Sequence, residues 1–239
     1  MAGTYMQQVA QSWLVYRLTK SEWMLGVSVF CAYIPMLVLT PFTGLVADRY
    51  QRRRIVMVAQ TAAMGQALLL AVLTLGGWVQ IWHVLLLAVF LGVASAFDVP
   101  GRQALLVHLV GKEDLLNAIS LNSTTFNAAR IVGPPIAGFV VARFGEGVCF
   151  ALNAASFLAV LGSLWAMRIV EPAGTGGGRW PTRELLDGFR YAWDKKAVRV
   201  LLLTAGLACL SSSSCFTLAP VFADKILNMG SQGYGLLTG

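Results

Sequence analysis

The side chains able to do chemistry in this 239-residue chain are few and grouped. Ser120, Ser123, Asn127, Arg130 and Pro134 recur at steps of three and four, so on a helix they form one polar stripe. Arg130 is its informative member, because an arginine at the middle of a membrane span costs about 2.5–3.5 kcal/mol on translocon scales and needs a partner or a wet cavity. Two roles follow: lining a central cavity, where it holds an anionic or polar group of a solute, or closing a structural ion pair between helices. Gln7 and Gln11, four residues apart with Gln8 and Ser12 beside them, make a second polar face, either cavity wall or interhelical hydrogen bonding. Asp48 stands among Arg49, Arg52, Arg53 and Arg54. Acids contribute little to membrane topology, so this one is expected to be paired or to face a helix N-terminus.

No nucleophile with its base, phosphate-binding loop or metal-ligand spacing occurs, so an enzyme is disfavoured and neither a metal nor a cofactor is expected. Cys31, Cys149, Cys209 and Cys215 all lie in apolar segments and read as small apolar side chains. His83 and His108 fall near opposite ends of spans, where interfacial placement outweighs a proton relay. Trp13, Trp23, Trp78, Trp82 and Tyr33 read as interfacial belt residues more readily than as a substrate cage.

The elements that must position these groups follow from composition. Apolar residues make up 57% of the chain, charged ones 12%, and the mean hydropathy is +0.68, which excludes a water-soluble globule. The runs are apolar on consecutive residues, which excludes a β-barrel and predicts an all-α polytopic membrane protein. Spans are expected near residues 1–16, 22–46, 54–76, 80–108, 116–142, 147–169 and 197–222, with an eighth opening near Gly233. The first is short, and some of its N-terminal turns are expected to be missing. Thirteen of the 18 Lys and Arg fall in the loops after spans two, four and six, against four on the other side. The positive-inside rule makes those three loops cytoplasmic, so the net charge of +7 reports topology and not nucleic-acid binding. Residues 171–196 open Gly-rich and continue with Leu185, Leu186, Phe189 and Trp193 on one helical face. This segment is either an interfacial amphipathic helix behind a linker or a plain connector. The domains expected are therefore a six-helix bundle over 1–170, a cytoplasmic linker over 171–196 and the incomplete start of a second half over 197–239.

The string from Gly44 to Arg53 resembles the G-x-L-A-D-R-x-G-R-R loop of the major facilitator superfamily, matching at Gly44, Ala47, Asp48, Arg49, Arg52 and Arg53. Gln51 stands where that motif has glycine, and Val46 where it has leucine. Gly133-Pro134-Pro135-Ile136-Ala137-Gly138 resembles the G-P-x-x-G-G string of exporters in that superfamily, and its two prolines are expected to break span five. Phe97-Asp98-Val99-Pro100-Gly101-Arg102 is similar to the branch that contains the enterobactin exporter and transmembrane secretion effectors. The resemblance implies the N-terminal six-helix half of a major facilitator fold with one or two helices of the second half, an apparent fragment. It also implies a cytoplasmic latch in which Gly44, Asp48, Arg49, Arg52 and Arg53 work with Asp98 and Arg102 of span four.

The expected function is secondary active export of a small molecule, drug-like or siderophore, across the bacterial inner membrane by proton antiport with alternating access. Gln7, Gln11, Ser123, Asn127 and Arg130 are the expected cavity residues, and Gly133, Pro134, Pro135 and Gly138 the exporter kink. The expected partners are the solute, protons and the lipid bilayer, with a monomer at full length. The rival is a pore-forming or assembly subunit without coupled transport.

Overall fold

A computed structural model describes residues 1–49, 51–110, 114–167, 190 and 193–239, without the side chains at 41, 44–49, 108, 202, 205, 206 and 209–215. The described residues are helical almost throughout: α1 (Ala2–Thr19), α2 (Glu22–Arg49), α3 (Arg52–Leu75), α4 (Ile81–Leu109), α5 (Leu115–Phe144), α6 (Glu146–Ala166), α7 (Lys196–Val221), a π-helical turn (Phe222–Ile226) and α8 (Gly230–Thr238). Most of the expected amphipathic segment, residues 171–189, lies outside the described residues.

The turns have local causes. Lys20 closes α1 in the left-handed conformation at φ 49°, its N–H donating to Tyr16 O at 2.7 Å. Gly145 both ends α5 and starts α6 at φ 83°, a conformation open to glycine at no steric cost. His83 has a capping role: Gln80 N–H donates to His83 Nδ1 at 3.1 Å while the Gln80 side chain accepts from the His83 backbone.

Five helices are long and apolar enough to cross a membrane among the described residues: Glu22–Thr40, Arg52–Leu75, Ile81–Val107, Leu115–Phe144 and Glu146–Ala166. α1 is not one of them. It lies centrally, touching α2, α4, α5 and α6 as well as α7 and α8, and Gln7 meets protein while Gln8 is exposed. α3 packs between α4 and α6, α2 lies along α4, and α8 lies along α5.

Small residues fill many of the buried positions, and large apolar side chains cover much of the surface. Small residues such as Ala10, Ala67, Ala88 and Ala137 are fully buried, while Leu37, Leu68, Phe139 and Trp165 are exposed. In lipid, close backbone approach holds helices together and large apolar side chains belong outside. At Gly92 a Cβ would fall 2.3 Å from Ala32 O, so only glycine lets α4 lie this close to α2. The main core surrounds the C-terminal half of α1 and includes Leu14, Tyr16, Leu70, Phe150, Ala223 and Tyr234. Trp23, Trp78 and Trp82 are exposed at helix ends, whereas Trp13 is stacked on Tyr234 inside the assembly.

Candidate functional site

At the end of the bundle that bears Arg52, α4 presents Asp98 and Arg102 one turn apart on one face. The Asp98 carboxylate accepts from the Arg102 guanidinium and, at 2.7 Å, from Gln60 Nε2 on α3. Both groups line a cavity of about 320 Å³ between α3, α4, α6 and the start of α1, together with Thr4, Ser95 and Ser156. The structure thus brings Asp98 and Arg102 together, and Gln60 completes the group. Arg52 and Arg53 begin α3, and Arg53 Nη2 donates to Trp165 O at 2.9 Å, tying α3 to the end of α6. The side chains of Asp48 and Arg49, with Gly44, lie outside the described residues.

Gln7 is placed inside the bundle. Asn153 Nδ2 on α6 donates to Gln7 Oε1 at 2.6 Å, and Gln7 Nε2 donates to Gln66 Oε1 on α3 at 2.7 Å. Gln7, Gln66 and Asn153 are each 2% exposed or less, so this amide chain joins three helices away from any wall. Ser156 Oγ extends it to Asn153 Oδ1 at 3.2 Å. Of the two readings of the Gln7 face, interhelical bonding describes Gln7. Gln11, one turn on, is half-buried. Gln60, Gln66 and Asn153 were not singled out from the sequence, although a lone amide in an apolar run is a usable signal.

α5 has two regimes. Ser120, Ser123, Asn127 and Arg130 are exposed, and Asn127 Nδ2 donates back to Ser123 O at 2.9 Å. Arg130 lies over the Phe216 ring of α7, 5.4 Å from its centroid, and makes no ion pair with Asp98. Beyond it Gly133, Pro134 and Gly138 are buried. A Cβ on Gly133 would meet Tyr5 Cβ at 2.9 Å, and one on Gly138 would meet Ser231 O at 2.7 Å and Gly235 Cα at 2.9 Å. The two prolines do not break the helix as expected: α5 runs unbroken from Leu115 to Phe144. Neighbours accommodate them. Pro135 leaves the Ile131 carbonyl without its helical donor, and a Cβ on Gly239 of the α8 end would sit 2.7 Å from that oxygen. Gly239 therefore packs closely against the Pro135 ring and the freed carbonyl, and a Cβ on Gly235 would likewise fall 2.6 Å from Pro134 O.

At the opposite end of the bundle the helices are tied by charge. Arg17 Nε donates to Glu146 Oε1 at 2.7 Å and Nη2 to Oε2 at 3.3 Å, a two-point contact between α1 and α6. Glu22 Oε1 accepts from Lys225 Nζ at 2.6 Å, and Asp224 Oδ2 accepts from Lys20 Nζ at 3.4 Å and from the Tyr16 hydroxyl at 3.0 Å. The Glu22 carboxylate holds the Lys225 ammonium above its ordinary value. None of these pairs was foreseen, since the partners lie far apart in sequence.

A family model described as transmembrane secretion effector matches residues 1–239. The chain is similar to the staphyloferrin A transporter of Staphylococcus aureus, 28% identical over 98% of this chain and 59% of that protein. It is also similar to the enterobactin exporter EntS of Shigella boydii serotype 18, 27% identical over 88% of this chain and 50% of that protein. EntS of Escherichia coli O1:K1 is 26% identical over the same shares. The chain spans about half the length of these curated relatives.

Proposed function

Because the chain belongs to the transmembrane secretion effector family of the major facilitator superfamily, we propose that it is part of a secondary active transporter that exports a small molecule by proton antiport with alternating access. It is a multi-pass inner-membrane protein, with five helices among the described residues long and apolar enough to cross the bilayer. The observation that carries the proposal is the division of α5. One part is closed against α8 through glycine, and the other presents Arg130 and its polar stripe beside Phe216 of α7. A cation held between the first six helices and the seventh is where a transporter of this architecture would meet solute.

In this reading Arg130 binds an anionic or polar group, with Asn127, Ser123 and Gln11 lining the path. Asp98 and Arg102, with Gln60, work with the loop of Gly44, Asp48, Arg49, Arg52 and Arg53 as a latch facing the cytoplasm. Gly133, Pro134, Pro135 and Gly138 close the other side. The relatives' names bring siderophores forward as the solute class, and a lipophilic drug-like compound is the alternative.

The test is efflux of radiolabelled enterobactin, staphyloferrin A and a lipophilic dye from cells expressing the gene, with and without an uncoupler. Uncoupler-sensitive export against a gradient supports the proposal. Flux that only equilibrates the solute would instead identify a pore. Arg130→Ala should abolish export, and Arg130→Lys, which keeps the charge but loses the planar fork, should weaken export of a carboxylate or catecholate more than that of a neutral compound.

A further inference from the structure

The charged rim at the Arg17 end has a property that the solute pathway does not use. Lys20 and Glu22 flank the α1–α2 turn, and Asp224 and Lys225 are consecutive on the π-helical turn after α7. Each segment therefore offers one acid and one base, and at both positions a charge faces its opposite: Glu22 with Lys225, and Lys20 with Asp224. Reversing either segment would put like charges together twice.

Local structure sets this order. Lys20 is held in the left-handed conformation by its capping bond, with its Nζ 4.7 Å above the Tyr16 ring, while the Tyr16 hydroxyl donates to Asp224. Across from it, the wider π turn carries two successive side chains to the same neighbour, a geometry often found at functional positions. Beneath the charges, Trp13 stacks on Tyr234 at 6.3 Å, Ala223 is fully buried, and α5 meets α8 at Gly138 and Gly235. Arg17 and Glu146 sit on the same rim but join α1 to α6, within the first six helices. They do not cross to α7 and α8.

We propose that Lys20, Glu22, Asp224 and Lys225 form a charge-matched latch between the α1–α2 turn and the α7–α8 connection, setting how much of the protein is closed at this end. The inference rests on the alternating-access reading. Exposed ion pairs are individually weak, but a conformational equilibrium needs only a small differential interaction to shift. The latch acts on population and takes no part in binding solute.

Ser231 is buried under the latch, its carbonyl against Gly138, which makes Ser231→Cys a reporter of opening. In the full chain with its native cysteines replaced by alanine, labelling of that cysteine by an impermeant maleimide would be followed in intact cells. Glu22→Lys or Lys225→Glu alone should raise the labelling rate about fivefold. The double reversal should bring it back to within about twofold of the parent, and Arg17→Gln should leave it unchanged. Single reversals without effect, or a double reversal labelled as fast as the singles, would overturn the latch. The charge-swap pattern in a protein that exports none of the probe compounds would keep the latch and remove the transport reading. Export with labelling indifferent to charge would do the opposite.

Discussion

The two parts of α5 are both rich in small residues, but only Ser120–Arg130 carries polar side chains, and their surroundings are opposite. From Ser120 to Arg130 the stripe stays exposed and its side chains bond largely to their own helix. From Gly133 to Val141 the residues facing α1 and α8 are buried, and glycine lets backbone meet backbone. A polar stripe in an apolar chain is therefore not by itself a packing surface. Where close approach is built, hydrogens replace side chains and the Ile131 carbonyl freed by Pro135 lies against a neighbouring glycine. Where it is not, hydroxyls satisfy themselves locally and leave the charge available.

The sharpest way to break this contrast is Gly138→Val. Its Cβ would lie within 3 Å of backbone atoms on α8 that cannot move unless the helices separate. A loss of about 1–3 kcal/mol is expected, read as a lower unfolding temperature of the detergent-solubilised protein. Gly26→Ala on α2, where nothing lies within 4 Å, should leave the temperature unchanged or slightly raised. Equal effects at the two glycines would mean that the α5–α8 crossing is not tightly packed.

A second contrast sets a buried amide against an exposed one. Gln7→Leu strips the acceptor from Asn153 and the donor from Gln66, for a cost of about 1–3 kcal/mol. Asn127→Leu, which loses only a bond within α5, should stay within about 0.5 kcal/mol. Thermal unfolding of both variants in the same detergent would place them, and a smaller loss for Gln7→Leu would show that the amide chain is not structural.

The two ends of the bundle give smaller differences. Asp98→Asn weakens the hold on Arg102, whose side chain is a third exposed, so about 1–2 kcal/mol is expected, discounted for solvent screening. Arg17→Ala releases a half-exposed arginine but strips the buried Glu146 carboxylate at the far rim of its partner, so a comparable loss of about 1–3 kcal/mol is expected. Chemical denaturation of the two variants would order the ends. At the bottom of the scale, Ser123→Ala should fall within about 0.5 kcal/mol of the parent.

Much of the architecture was legible because it depends on one-dimensional properties. Helix bounds within a few residues follow from apolar length, and charge breaks mark the loops near Arg52 and Arg143. The first segment was legible as a helix too, although its amides keep it outside the five that are apolar enough to face lipid. The site was legible only in part. Arg130 stood out by its depth in an apolar run, but its companion Phe216 is one aromatic among many in such a chain. Gln60 was passed over for the same reason: an amide becomes notable only once Asp98 is known to face it.

By itself the sequence determined that this chain is a bundle of membrane helices, and that Arg130, Asp98 and the glycine–proline string are costly enough to need an explanation. Those conclusions rest on transfer energies and backbone chemistry, which belong to each segment alone. Only the tertiary structure decided that Gln7 faces Gln66 and Asn153, that Asp98 is held by Gln60 and Arg102, and that Glu22 meets Lys225. Partner choice depends on how helices rotate and cross, and those angles are set by small residues such as Gly92 and Gly138, whose contacts come from other helices.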